Sequence, residues 1–276
     1  MTTARFAPSP TGRLHLGHAY SAIVGRAAGD RFLLRIEDLD TGRCRAEYVA
    51  GIEEDLRWLG IAWDGKVLVQ SARTAAYAAA LERLRATGLL YPCFCTRADI
   101  AAAVSAPHGN AGAIYPGICR TLADDPARRA AAAHSWRLDG AKALAITEQP
   151  AWTEADGTIF TAGEIDDVIL ARKDAPASYH LACVVDDAAS GVTLVVRGAD
   201  LRASTSVQRL LQMLLGLPEP TYLHHPIVAF LDGRRLAKRD LAPTLGAMRA
   251  AGVDGLAIAT QLGRGELPLG FRFIDA

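Results

Sequence analysis

His15 and His18 stand three residues apart at the head of an apolar stretch, within "RFAPSPTGRLHLGHAY" from Arg5 to Tyr20. That spacing puts both imidazoles on one face of a first helical turn. A helix N-terminus offers N–H groups without intrahelical partners and the positive end of the peptide dipoles, a natural seat for an anion. Two histidines beside it can donate hydrogen bonds to phosphate oxygens, best as charge develops in a transition state. Pro8 and Pro10 fix the preceding loop, Thr11 and Gly12 turn it, and Gly17 permits close approach of a flat ligand. The chemistry suggested is nucleotide-phosphate binding at a strand-to-helix crossing. H-x-x-H alone fits an ordinary capped helix with two surface histidines more readily. A metal pair would lack a third ligand nearby.

A second cluster is Cys93-x-Cys95, followed by Tyr115 and Cys119 in Y-x-x-x-C. Three thiolates need a fourth ligand for tetrahedral zinc. From the residues alone that ligand is His108 or water, and the competing reading is a set of buried reduced cysteines. Cys44 and Cys183 read as ordinary small residues. A third feature is "RRLAKR" at 234–239, which alone is a solvated basic run.

The elements that must position these groups follow from periodicity. The first third alternates strand, helix, strand and helix: "ARFAPS", then a helix ending at Gly29, then "RFLLRIED", then "RAEYVAGIEEDLRWLG". That alternation predicts an α/β fold with a parallel sheet. "TAAYAAALERLRATG" adds an amphipathic helix. Residues 92–164 differ, holding three of the five cysteines, a glycine-rich stretch and an alanine-rich helix over "DDPARRAAAAHSW". They read as an insertion between two halves of the sheet, 1–91 and 165–240, with a short helical closure at 241–276. Sheet-like patterns resume in "DDVILAR" and "YHLACVVDDAASGVTLVVRG"; a helix "STSVQRLLQMLLG" and a strand "TYLHHPIVAFL" follow.

The 276 residues carry 30 acidic and 30 basic side chains, so net charge does not advertise a nucleic-acid binder, although a local basic face is compatible with it. No apolar run approaches a membrane span. An odd cysteine count without a basic-then-apolar leader argues against a disulfide framework, and the expectation is a cytoplasmic monomer.

"FAPSPTGRLHLGH" resembles the N-terminal signature of class I glutamyl-tRNA synthetases, with "HLGH" in the place of "HIGH". The resemblance continues through "LRIEDLDTGR", "YHLACVVDDAASGVTLVVRGADL" and "RRLAKRD", in order along most of the chain. It implies a Rossmann-type doubly wound sheet and activation of glutamate by ATP with Mg²⁺. His15, Gly17 and His18 would bind ATP, and His15, His18 and Lys238 would be catalytic. Lys238 stands at the lysine of a "KMSKS"-like loop in which Leu236, Ala237 and Arg239 replace the methionine and two serines. The glutamate pocket would comprise Arg5, Phe6, Ala7, Pro8, Ser9, Glu37, Tyr179 and Arg197. Arginine is a natural fork for a carboxylate, Glu37 can meet an ammonium, and Tyr179 can donate to a carboxylate. Which arginine meets which carboxylate stays open, and singly each of Arg5, Glu37 and Arg197 is equally at home in a surface ion pair.

The same resemblance implies one structural Zn²⁺ on Cys93, Cys95, Cys119 and, as fourth ligand, Tyr115, within an insertion at 92–164 that resembles the region with which the family positions the acceptor end of tRNA. Only about forty residues follow Lys238, too few for an independent domain of ordinary size. No anticodon-binding domain is therefore expected, as in the stand-alone catalytic-core branch of the family. That branch transfers glutamate to queuosine in the anticodon of tRNA(Asp). Cys183 and Ala199 fit it, replacing the usual asparagine and acid of the full-length enzymes. Arg120, Arg128, Arg129, Arg202 and Arg209 are candidate RNA contacts, or plain solvated surface. The alternatives are a shortened enzyme charging tRNA(Glu), a non-catalytic RNA-binding paralogue, or another nucleotidyltransferase.

Overall fold

Alternation along the first strands decides which side chains meet. The computed structural model describes residues 1–96, 98–100, 115–122, 124–236 and 243–275. Strand β1 (Thr3–Phe6) pairs in parallel with β2 (Arg31–Ile36), Thr3 opposite Arg31, and β2 pairs in parallel with β3 (Leu68–Val69). Helices α1 (Leu16–Ala28) and α2 (Ala46–Trp58) make the crossovers. A side chain every second residue points to the same sheet face. Ala4, Phe6, Phe32, Leu34 and Ile36 therefore share one core with Leu16 of α1 and Ile52 and Leu56 of α2. The intervening Arg5 and Arg35 are sent to the opposite face, where both are buried.

Helix α3 (Thr74–Ala86) leads to an antiparallel sheet of β4 (Leu90–Cys93), β5 (Ser135–Leu138) and β8 (Ile169–Ala171). Between these strands lie α4 (Pro126–Ala131), α5 (Gly140–Ala145) and a hairpin of β6 (Ala151–Thr153) with β7 (Ile159–Thr161). Helix α6 (Tyr179–Ala189), strand β9 (Leu194–Gly198), helix α7 (Arg202–Leu215) and strand β10 (Thr221–His225) return to parallel pairing, β9 against β10. Beside β1, Thr193 N–H donates to the Thr3 carbonyl at 3.0 Å. The order β3–β2–β1–β9–β10 thus reverses its winding between β1 and β9, the point at which doubly wound sheets open a ligand crevice. β9 alternates as β1 does: Leu194 and Val196 join the α1 core, and Val195 joins Leu181, Leu210 and Tyr222 on the other face.

Strand β11 (Ile227–Phe230), helices α8 (Leu245–Ala250) and α9 (Gly255–Gly263), and β12 (Phe271–Ile274) complete the chain, with β12 antiparallel to β11. Among the described residues no helix is long and apolar enough to cross a membrane.

Four expectations need correction. "YHLACVVDDAA" is helix rather than strand. Its apolar run is short and buried, a case in which periodicity does not separate the two. The alanine-rich helix stops at Ala131, because Ser135–Leu138 pairs with β4 and β8. "TYLHHPIVAFL" divides into two strands at Pro226, which has no N–H to continue a ladder. The tail ends in a strand as well as helices.

The closing helices are fastened to the loop that enters α1: Leu245 N–H donates to the Leu14 carbonyl at 2.9 Å, and Thr244 bridges His15. Gly255 begins α9 against α2, where a Cβ would strike the Trp58 carbonyl and come within 2.6 Å of its ring. Gly255→Ala should therefore lower the unfolding free energy by about 2–3 kcal/mol. A urea midpoint shifted down at unchanged slope would show it. An unshifted midpoint would mean that α9 is not seated on Trp58.

Candidate active site and metal centre

A cleft of about 590 Å³ opens at the winding reversal, over the N-terminus of α1. His15, Gly17 and His18 line it, together with the loop residues Phe6, Ala7, Pro8 and Ser9 and the polar set Arg5, Glu37, Tyr179 and Arg197. The structure thus brings together every described residue expected in the glutamate and ATP sites. Lys238 lies outside the described residues.

The two histidines cap their own helix. Gly17 N–H donates to His15 Nδ1 and His15 N–H donates to His18 Nδ1, each at 3.2 Å, and the ring centroids are 3.9 Å apart. With both Nδ1 atoms accepting, a neutral ring carries its proton on Nε2 as a donor. Gly17 has a second role here: a Cβ would lie 3.1 Å from His15 Cε1, so the glycine gives the imidazole its seat. The loop is held by Glu37 N–H donating to the Pro8 carbonyl at 3.1 Å, which joins the end of β2 to residues 7–9.

Beneath the cleft lies a buried ionic cluster. Asp187 grips Arg5 through Nε at 3.0 Å and Nη2 at 3.2 Å, and also bonds Arg35 Nη1. Arg35 turns its Nη2 to Glu37 Oε1 at 3.0 Å. Cys183 Sγ lies 3.4 Å from Asp187 Oδ2 and 3.5 Å from Arg35 Nη2. Burial would push the Asp187 carboxyl up, but the Arg35 and Arg5 charges hold it well below the usual range. Burial wins at Glu37, whose pKa is raised in spite of Arg35 and Arg5. Burial and then Asp187 push the Cys183 thiol up to about 11.

Arg197 is placed differently. It is only 4% exposed, and its bonds go to His224 Nε2 at 3.1 Å, Tyr179 Oη at 3.3 Å, Gln208 Oε1 at 2.7 Å and Thr205 Oγ1 at 2.7 Å. None of these is a carboxylate. His224 Nδ1 meets Glu154 Oε1 at 2.6 Å, so a neutral ring can donate to Glu154 and accept from Arg197. Burial, aided by Arg197, brings His224 down to about 4. Tyr179, pushed up to about 12 by burial, keeps its proton as a donor.

The metal cluster assembles as the spacing suggested. The sulfurs of Cys93, Cys95 and Cys119 lie within 4.8 Å of one another and could hold a metal ion. Cys95 and Cys119 Sγ are 3.5 Å apart, and Tyr115 Oη is 3.4 Å from Cys93 Sγ and 3.5 Å from Cys95 Sγ. Zinc–sulfur bonds subtend a tetrahedral edge of roughly 3.8 Å, so the donors are close to a zinc-sized cage. Tyr115 Oη also accepts the Cys119 N–H at 3.0 Å, and the Arg137 guanidinium sits 3.7 Å over the Tyr115 ring centroid. The Cys119 N–H favours negative charge on that oxygen, against burial and the Cys93 and Cys95 thiols, which push the phenol well up. His108 lies outside the described residues.

Sequence reasoning missed Arg35, Asp187, His224, Thr205 and Gln208. Arg35 was readable as the strand position two before Glu37. Tyr179, Cys183 and Asp187 form an i, i+4, i+8 helical stripe, hidden once that segment is taken as strand. Cys183, expected to be an ordinary small residue, sits within the arginine cluster instead. Of the arginines considered for RNA, Arg209 is buried and held by Glu219 at 2.7 Å, and Arg120 is held by Asp167 at 2.7 Å.

Replacing Asp187 by Asn would leave two buried guanidinium groups without their shared counter-charge. The expected loss is about 3–5 kcal/mol of unfolding free energy at neutral pH. Because the folded carboxyl titrates below its ordinary value of 3.8, its stabilisation is present above that value and fades as pH falls toward the depressed one. The gap between wild type and variant should therefore narrow on acidification. Urea unfolding at neutral and acid pH measures it, and a gap independent of pH would refute the assignment.

The family model described as tRNA synthetases class I (E and Q), catalytic domain, matches residues 1–266. The chain is 48% identical to glutamyl-Q tRNA(Asp) synthetase of Rhodobacter capsulatus, over 94% of this chain and 99% of that one. It is 48% identical to the protein of that name from Nocardia farcinica, over 90% of this chain and 79% of that one. Among solved structures it superposes on a glutamate-tRNA synthetase from Elizabethkingia anophelis with a TM-score of 0.71 at 25% identity, covering 87% of this chain and 53% of that one. A glutamate tRNA ligase from Elizabethkingia meningosepticum, in complex with its amino acid, matches equally well, with 52% of it covered. The chain spans about half the length of these solved relatives. A cleft at the winding reversal, a histidine-capped helix and this kinship lead to one conclusion: the chain belongs to the class I tRNA synthetases of the glutamate and glutamine type, in the glutamyl-Q tRNA(Asp) synthetase family.

Proposed function

We propose that the protein activates L-glutamate with ATP and transfers the glutamyl group to queuosine in the anticodon of tRNA(Asp), as a cytoplasmic monomer. The observation that carries this reading is Arg197: a buried guanidinium on the cleft wall, bonded among the described residues only to uncharged groups. A buried cation without a counter-charge is costly, and a substrate carboxylate supplies one. Arg5 already has Asp187, so Arg197 is the principal fork and Arg5 shapes the pocket floor beside it. Tyr179 donates to the same carboxylate. Glu37 takes the ammonium.

In the first step a glutamate α-carboxylate oxygen attacks the α-phosphorus of ATP, and the bond to pyrophosphate breaks. The α1 N-terminus and the Nε2–H donors of His15 and His18 stabilise charge on the phosphate oxygens, and Lys238 steadies the leaving pyrophosphate. Mg²⁺ carried by ATP would supply neutralisation of phosphate charge in the cleft. In the second step a hydroxyl of the queuosine cyclopentene-diol attacks the acyl carbon; AMP leaves and the hydroxyl proton is released.

Zn²⁺ fits the cysteine cluster, held by Cys93, Cys95, Cys119 and Tyr115, where it would tie residues 93–95 to residues 115–119 within the region at residues 92–164 that we assign as the insertion. The core halves at 1–91 and 165–240 and the closure at 241–276 complete the organisation. The purified protein should carry about one zinc per chain, and Cys119→Ala should bring the ratio toward zero. Elemental analysis decides this; full retention in the variant would remove the assignment.

The decisive experiment is glutamate-dependent pyrophosphate exchange together with transfer of labelled glutamate to tRNA(Asp) with and without queuosine, and to tRNA(Glu). Exchange without added RNA and labelling only of queuosine-containing tRNA(Asp) are expected; labelling of tRNA(Glu) would replace the reading. A second outcome follows from Glu37. Its raised pKa means that it protonates at a higher pH than an ordinary glutamate, and the protonated group no longer holds an ammonium. KM for glutamate should rise as pH falls through that pKa. Glu37→Gln should raise KM at least about tenfold at neutral pH and abolish this dependence. An unchanged pH profile in the variant would count against the ammonium role.

A further inference from the structure

Away from the cleft, three aromatic rings are arrayed beside the thiol cluster. Phe94 and His134 centroids are 5.5 Å apart, and His134 and Trp136 are 5.3 Å apart at an interplanar angle of 82°. All three rings are only half-buried. Cations sit over them: Arg128 lies 4.1 Å from the Phe94 centroid, and Arg85 and Arg129 lie 5.5 and 5.7 Å from the Trp136 centroid. Lys173 Nζ donates to the Phe94 and Cys95 carbonyls at 2.9 and 3.2 Å. Arg129, His134 and Lys173 line a shallow depression of about 330 Å³ between these groups.

Two features set this patch apart from ordinary surface. Phe94 is the middle residue of Cys93-x-Cys95, so the cluster that holds the thiols also fixes the ring. Second, the cations are only partly neutralised. Arg85 has Glu82 at 3.1 Å and Arg129 has Asp124 at 2.6 Å, whereas the Arg128 guanidinium has no carboxylate partner among the described residues and the Lys173 ammonium bonds carbonyls, with Asp99 acting on it electrostatically but not bonded to it. Aromatic faces interleaved with cations suit unpaired bases, which stack on the rings while phosphates meet the charges. A base-paired duplex keeps its bases inside the helix and has little use for the rings.

We propose that Phe94, His134 and Trp136, with Arg128 and Lys173, form a stacking platform for unpaired nucleotides of the RNA acceptor. This rests on the RNA-directed reading of the cleft, and extends it to how the loop is gripped. Catalytic groups are not involved, so activation of glutamate and capture of RNA separate experimentally.

The test uses the full chain and its Arg128→Ala, Phe94→Leu and Trp136→Leu variants. Binding of a fluorescein-labelled RNA hairpin is compared with binding of the same stem closed as a loopless duplex. Zinc content and glutamate-dependent pyrophosphate exchange serve as controls. Trp136→Leu and Phe94→Leu are expected to weaken the hairpin on the order of tenfold each while leaving the duplex and exchange unchanged. Arg128→Ala should also lower the salt dependence of hairpin binding by about one unit of slope. Unaltered hairpin binding in all three variants would overturn the platform, as would equal weakening of hairpin and duplex. Absence of pyrophosphate exchange in the wild type, by contrast, strikes the glutamate reading and leaves the hairpin comparison standing.

Discussion

Asp187 sits between two guanidinium groups in a place no water reaches in quantity, and the cleft is organised around that contact. Two positive charges on neighbouring strands, Arg5 and Arg35, would be prohibitive beneath a helix unless that helix brought a negative one. The last turn of α6 does so. The position of α6 is thereby fixed relative to β1 and β2 by charge as well as by the packing of Leu181 and Val184. The consequence reaches the cleft through Arg35, which holds Glu37 on one oxygen. A carboxylate that would otherwise be a mobile group at a strand end becomes a fixed wall.

The contrast between the arginines gives the site its polarity. Arg5 is neutralised from below and is part of the framework. Arg197 is surrounded by Gln208, Thr205, Tyr179 and a neutral His224, groups that orient a guanidinium without cancelling its charge. Glu154 stands one residue further back, behind His224, where it fixes the imidazole. Such an arrangement is preorganised for an anion: the donors are already aimed, and little reorganisation accompanies binding. The histidine-capped N-terminus of α1 opens on the same cleft and turns the positive end of its peptide dipoles toward it.

Both regions outside the parallel sheet serve this arrangement. The closing helices tie back to Leu14 and His15, so the turn that enters α1 is held from two directions. The antiparallel region gathers thiols and a phenol from residues up to 26 positions apart into one cage, and presents Phe94 on its outside. In each case distant chain segments are recruited to stiffen a short one.

Local sequence was sufficient for the histidine-capped turn, the thiol spacing and the alternation of strands and helices in the first third, because those depend on neighbours within a few residues. His15 and His18 share a face by helical geometry alone, whereas Arg5 and Arg35 share one only because β1 and β2 pair with Thr3 opposite Arg31. The stripe of Tyr179, Cys183 and Asp187 was equally local, yet it was obscured because a short buried apolar run has no solvent face to reveal its period. Only the tertiary structure decided that Arg5 is neutralised and Arg197 is not. Which of two like charges receives a counter-ion depends on which helix crosses above it, and no interval along the chain encodes that crossing.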